Sequence, residues 1–149
     1  MFEKIVVGVD GSPESEHALR LACDLAQKYS SELHLVHTPQ PQTVAFAMGA
    51  VAGYHAAMAM PSSEEVEVAC EKIVSSAKAI AEECNQKITQ THTEPGDPAD
   101  HIIACAEGCG ADLIITGRRG LGSVSSLLQG STSQRVNHLA KCACLSVVK

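Results

Sequence analysis

Tryptophan is absent from this chain of 149 residues, and aromatic residues amount to two Phe and two Tyr. Without large rings, the interior must be packed from Ala, Val, Ile and Leu, which suits a tight sandwich of helices on a sheet. Positive charge is also in short supply. Eleven Lys and Arg against seventeen Asp and Glu leave a net charge of -6, which argues against a general nucleic-acid or anionic-membrane surface, so any phosphate site has to be local. Disulfides are not expected either: seven cysteines are an odd number, no export signal is visible, and 45% apolar residues suffice for one core without staples. The stretch Ile5-Val6-Val7 that follows Met1-Phe2-Glu3-Lys4 is too short for a signal peptide, so a cytoplasmic location is expected.

No apolar run reads convincingly as a membrane span. Thr43 to Met60 comes near the ~20 residues a bilayer requires, but its glycines and His55 dilute it. A span there would also pull apart two elements of one compact domain. The segment 39–62 is instead expected to be a long apolar loop with a task, containing a small helix, a lid or a subunit contact, because ordinary connections take ~2 to 6 residues.

What is present alternates. Lys4 to Asp10 is an apolar run without strict alternation, as in a strand covered on both faces. Gly11-Ser12-Pro13 then opens a helix with Ala18, Leu21, Ala22 and Leu25 at helical spacing, running to about Ser30. Leu33 to Val36 is a second strand, Glu64 to Glu83 a second long helix, and Lys87 to Glu94 a weaker strand. Gly96-Asp97-Pro98 restarts a helix carrying Ile102, Ile103 and Ala106. Asp112 to Gly117 is a buried strand, and a last helix from about Ser131 leads to the closing strand Cys144 to Val148. Such alternation predicts one domain over residues 1–149 of the α/β class: an open, twisted, parallel five-stranded sheet with right-handed crossovers and helices on both faces.

In such sheets ligands gather outside the carboxyl ends of the strands. There the chain reads Gly117-Arg118-Arg119-Gly120, nine residues, then Gly130-Ser131-Thr132-Ser133. Glycine lets main chain approach a phosphate, and a helix start offers unpaired N–H groups at the positive end of its dipole. The pattern is neither a Walker A loop nor the Gly-x-Gly-x-x-Gly dinucleotide fingerprint. On spacing alone these glycines could equally turn the chain and cap the last helix.

Nearly the whole chain resembles the universal stress protein family. Ile5-Val6-Val7-Gly8-Val9-Asp10-Gly11-Ser12 is similar to the family's opening strand and turn, Gly96-Asp97-Pro98-Ala99 to a helix entry, and Ala111 to Gly117 to its fourth strand. Gly117-Arg118-Arg119-Gly120 with Gly130-Ser131 resembles the Gly-x-x-Gly, nine residues, Gly-Ser/Thr pattern of the ATP-binding branch; Ser133-Gln134-Arg135-Val136 and the closing strand complete the likeness. The resemblance implies strand order 3-2-1-4-5 and ATP, with or without Mg2+, as ligand. It implies that Val9 and Asp10 meet adenine and ribose, that Thr38 flanks the base, and that Thr116, Gly117, Arg119 and Gly120 line ribose and phosphates. Gly130, Ser131, Thr132 and Ser133 would hold the phosphate chain. Thr38 departs from the family, which commonly has an aliphatic residue there. The family's usual homodimer pairs last strands, here Leu145 to Val148, although a loop could equally cover that strand. A stress or signalling module with slow ATP hydrolysis and an unknown protein partner is the expected function.

Other readings compete with parts of this one. Asp10 can bridge magnesium to phosphates or cap its own turn and hold ribose, the second being favoured. His101, Cys105 and Cys109 share a helical face and invite a zinc reading, but a fourth ligand is missing and packing is the stronger reading. Cys142 and Cys144 are read as packing residues, and His34 and His37 point to opposite faces of their strand. A dedicated nucleotide hydrolase would need a general base that the sequence does not identify. A nucleotide-independent interaction dimer would use the segment containing Met48, Met58 and Met60.

Overall fold

The computed structural model describes residues 1–49, 60–119 and 130–148. Their order is β1 (Lys4–Gly8), α1 (Pro13–Tyr29), β2 (Glu32–His37), α2 (Pro41–Ala47), α3 (Ser63–Glu83), β3 (Ile88–Thr93), α4 (Pro98–Cys109), β4 (Leu113–Gly117), α5 (Ser131–Leu139) and β5 (Ala143–Val147). The segment 39–62 thus contains the seven-residue α2, while 50–59, with Met58 and most of the apolar run, lies outside the described residues.

Local chemistry sets the helix ends. Ser12 caps α1 by accepting the Ser15 N–H at 3.2 Å, Pro13 occupies the first turn, and Ser30 ends the helix in the left-handed region at φ 55°. Ser62 and Glu65 form a reciprocal capping box on α3. Asp97 caps α4, which ends on Gly110 at φ 67°.

The five strands are parallel in the order β3-β2-β1-β4-β5, with Val6 aligned to His34 on one side and Ile114 on the other. Strand parity divides the core into two layers. Ile5, Val7, Leu33, Leu35 and Ile115 pack against α1 and α3 through Leu19, Ala22, Ile73 and Ala77. Val6, Val36 and Ile114 pack against α4 and α5 through Ile102, Ala106 and Val136. Cys142 and Cys144 sit against this second layer, as their alternation predicts, and all seven cysteines are free thiols. Burial on both faces is why β1 reads as an unbroken apolar run. It also explains Gly8, where an added Cβ would stand 2.7 Å from Ile102 Cδ1.

Candidate functional site

The chain leaves β1 toward α1 on one face of the sheet and leaves β4 toward α5 on the other, so the loops beyond these adjacent strands part and open a crevice. On the β1 side the loop is closed on itself. Val9 N–H donates to Val36 O at 2.9 Å, Gly11 turns at φ 83°, and Asp10 Oδ1 accepts the Ser12 N–H at 2.9 Å. The Ser15 hydroxyl accepts the Asp10 N–H and donates to Ser12 O. Asp10 therefore does cap its turn, as the favoured reading of this residue expects.

Two histidines that sequence reasoning did not place at the site support this wall. His37 is buried on β2 and its Nδ1 lies 2.9 Å from Val9 O; a carbonyl can only accept, so Nδ1 carries the proton. Burial holds the pKa of His37 below its ordinary value, opposed by the Val9 bond and Asp10. Thr38 is buried next to it, with Oγ1 2.8 Å from His101 Nδ1. Its hydroxyl gives a polar tether to α4 at the position where an aliphatic residue is common in the resemblance.

On the β4 side Thr116 is buried and Gly117 lies against the start of α1. A Cβ on Gly117 would stand 3.0 Å from the Glu14 carbonyl carbon and 3.1 Å from Arg119 O, so the absence of a side chain lets the start of α1 approach the end of β4. Arg118 and Arg119 are both half-buried. Arg118 N–H donates to Val147 O at 2.7 Å, and Arg118 O accepts the Gly130 N–H at 2.7 Å. This ladder draws the beginning of α5 up to the end of β4. The buried Ser133 hydroxyl lies 2.8 Å from Arg118 O and 3.0 Å from Gly130 O, so its proton serves the loop. Ser131 is exposed and Thr132 half-buried. Gly130 is the N-cap of α5, and among the described residues no side chain caps that helix, in contrast to α1, α3 and α4. Gly120 lies outside the described residues.

A cavity of about 190 Å³ adjoins Val9 and Gly11 and extends between α1 and α3, where it is lined by Leu19, Ala47, Lys72 and Ile73. Lys72 Nζ donates to Ala47 O at 2.7 Å and ties α3 to α2. Sequence reasoning missed Lys72 because only the packing of α3 on α1 brings it near the crevice. Arg135 forks between Asp97 and Asp100 at 2.7 Å each, fastening α5 to the N-terminus of α4. Cys105 and Cys109 pack against the second core layer, as the stronger reading expects, while His101 is turned to Thr38 and the imidazole that gathers with the two thiols is His34 of β2.

The family model described as the universal stress protein family matches residues 1–148. This chain belongs to the universal stress protein family. Universal stress protein YxiE of Bacillus subtilis is 31% identical over 148 residues, covering 99% of each chain. Two solved members share the fold. A universal stress protein in complex with cAMP has TM-score 0.70 and 22% identity, covering 99% of this chain and 97% of its own. The universal stress protein from Archaeoglobus fulgidus in complex with dAMP has TM-score 0.69 and 20% identity, covering 97% of each. For the described residues the family's five-stranded parallel order is the one seen here.

Proposed function

We propose that this universal stress protein binds an adenine nucleotide, ATP by preference, in the crevice between the β1 and β4 loops, and serves as a nucleotide-dependent regulatory module in stress response or signalling. The observation that carries the reading is the start of α5, a helix N-terminus held beside the end of β4 with glycine in place of a capping side chain. Its amide dipoles favour an anion. A few charge-assisted bonds of about 1.5–3 kcal/mol each reach the roughly 8 kcal/mol of a micromolar complex. In this reading Val9, Asp10 and Thr38 receive base and ribose; Thr116, Gly117, Arg119 and Gly120 follow the ribose and first phosphates; Gly130 to Ser133 hold the phosphate chain, with Ser133 acting chiefly through the loop it braces. Mg2+ accompanies the phosphates without a dedicated carboxylate pair. β5 at the edge of the sheet, with Leu145 39% exposed and Val148 just beyond its end 59% exposed, is the proposed homodimer seam.

The two nucleotides named in the structural neighbours are adenosine monophosphates, which favours AMP or cyclic AMP as the competing ligand. Calorimetric titration of nucleotide-stripped protein with ATP, AMP, cAMP and GTP, with and without magnesium, separates the two. Micromolar ATP binding that weakens for GTP and for the monophosphates supports the proposal. Tighter monophosphate binding replaces ATP as the ligand, and no binding at millimolar nucleotide overturns the site.

A further inference from the structure

The stripe His101, Cys105, Cys109 on α4 is divided between two places. His101 reaches up to Thr38, while a ring nitrogen of His34 and the Sγ atoms of Cys105 and Cys109 all lie within 4.8 Å of one another. His34 is four residues before Thr38 on β2, hence about 13 Å down the strand at ~3.3 Å per residue, away from the proposed nucleotide crevice.

The second, independent observation is His34 itself. It is 3% exposed, and among the described residues its Nε2 is a buried polar atom with no hydrogen-bond partner. Buried polar atoms are nearly always satisfied, so an orphan asks for a partner. Nδ1 is turned to His92 Nε2 at 3.4 Å, with the two rings stacked at 5.7 Å between centroids. Nε2 approaches Glu32 Oε2 at 3.5 Å without forming a hydrogen bond.

We propose that His34, Cys105 and Cys109 form a zinc(II) site, with His34 Nε2 and the two sulfurs as ligands and water at the fourth position. Two thiolates and an imidazole, with water in the fourth position, are a donor set that zinc accepts in tetrahedral form. The spacing fits. Two sulfurs at ~2.3 Å from zinc stand roughly 3.8 Å apart across a tetrahedral angle, and an imidazole nitrogen at ~2.0–2.1 Å stands roughly 3.6 Å from each, both inside the 4.8 Å within which the three donors gather. His92 then orients the ligating imidazole through its other nitrogen. Burial and the neighbouring Cys109 push the Cys105 thiol up to about 12, so the metal must displace protons. Each ligating thiol releases one to solvent, and affinity rises with pH.

The test uses the reduced, chelator-stripped full chain titrated with cobalt(II) as a spectroscopic probe, then with zinc(II). The expected result is one equivalent of cobalt with an intense thiolate-to-metal charge-transfer band, abolished by excess zinc. Cys109→Ser and His34→Gln should each weaken binding at least about tenfold, and Cys142→Ser should leave it unchanged. A parallel measurement needs no variant: zinc should protect Cys105 and Cys109 of the native protein from alkylation, read residue by residue by mass spectrometry. Absence of the band, its persistence in Cys105→Ser/Cys109→Ser, or protection centred on Cys142 and Cys144 overturns the proposal.

Discussion

The helices that leave the two sides of the crevice begin in opposite ways. α1 starts with a cap built from its own sequence: Ser12 takes the Ser15 N–H, Asp10 takes the Ser12 N–H, and Pro13 has no N–H to satisfy. α5 starts with Gly130 and no side-chain cap, although its backbone is drawn up to β4 by the Arg118 ladder. Both starts follow adjacent parallel strands, so topology does not distinguish them. One wall is completed by the chain itself, and in the proposed function a ligand completes the other. A substitution on the first wall should therefore be read in stability, and one on the second in affinity.

The largest effect should come where the walls touch. Gly117→Val puts branched carbon against the Glu14 and Arg119 main chain, which cannot rotate away as a side chain would. Overpacking of this kind costs about 1–3 kcal/mol. Urea denaturation should show that loss, and nucleotide binding should fall with it because both walls are displaced. If stability and affinity both stay at the native level, the close approach of α1 to β4 does not set the crevice.

Exchanging the two designs comes next. Gly130 sits at φ -59°, ψ 146°, which any residue adopts. Gly130→Asp should supply a cap and a negative charge at the dipole's positive end, raising stability by a few tenths of a kcal/mol. The same carboxylate competes with phosphate, so affinity for ATP should drop at least about tenfold, or roughly 1.4 kcal/mol. Ser12→Ala is the mirror experiment: a loss of about 1 kcal/mol in stability with a much smaller change in affinity. Thermal melts and calorimetry on the pair give opposite orderings if the comparison holds. Parallel changes in both quantities would merge the two walls into one structural unit.

Acid should loosen the first wall selectively. His37 is neutral in the fold and its pKa is held down by burial, so the unfolded chain takes up a proton that the folded chain resists. The contribution of this buried imidazole to stability is fully present above the ordinary histidine value of about 6.5 and is lost as pH falls below it. Asp10, which favours the charged form, and His101, which opposes it, are the charges acting on His37; His92 is shifted in the same direction and shares the effect. Denaturation midpoints should fall from about pH 7 to about pH 5, from ~0.5 units above 6.5 to ~1.5 units below it, in the native chain, and fall less in His37→Gln. Identical pH profiles would remove His37 from the account.

How much of this was readable beforehand depends on whether a feature is local. The strand over Lys4 to Asp10, the cap at Ser12, the Asp97 helix start and the last helix at Ser131 follow from residues within one turn of each other, and each is in place within a residue or two. The placement of Asp10 in its own turn is local as well. Three features are not local. Thr38 with His101, His37 with Val9, and His34 with the α4 thiols depend on how β2 aligns with β1 and how α4 crosses them, which helical periodicity does not encode. That is why spacing grouped His101 with Cys105 and Cys109, whereas packing substituted His34. Ser133 is a milder case: a hydroxyl beside glycine reads as a phosphate donor until the Arg118 carbonyl is brought to it.

The smallest expected effect on the crevice concerns β5. Its end is tied to the β4 loop through the Arg118 N–H and Val147 O, a main-chain bond that side-chain substitution leaves intact. Leu145 is partly exposed on the edge strand, where a lysine opposes edge-to-edge pairing by placing like charges across the seam. Leu145→Lys should therefore convert a dimer to monomers in sedimentation measurements while changing stability by no more than about 0.5 kcal/mol. ATP affinity should stay within about twofold, because both walls of the crevice belong to one chain. A monomeric Leu145→Lys protein that has lost nucleotide would mean instead that the second wall is completed across the seam, making α5's missing cap a feature of the dimer rather than of the chain.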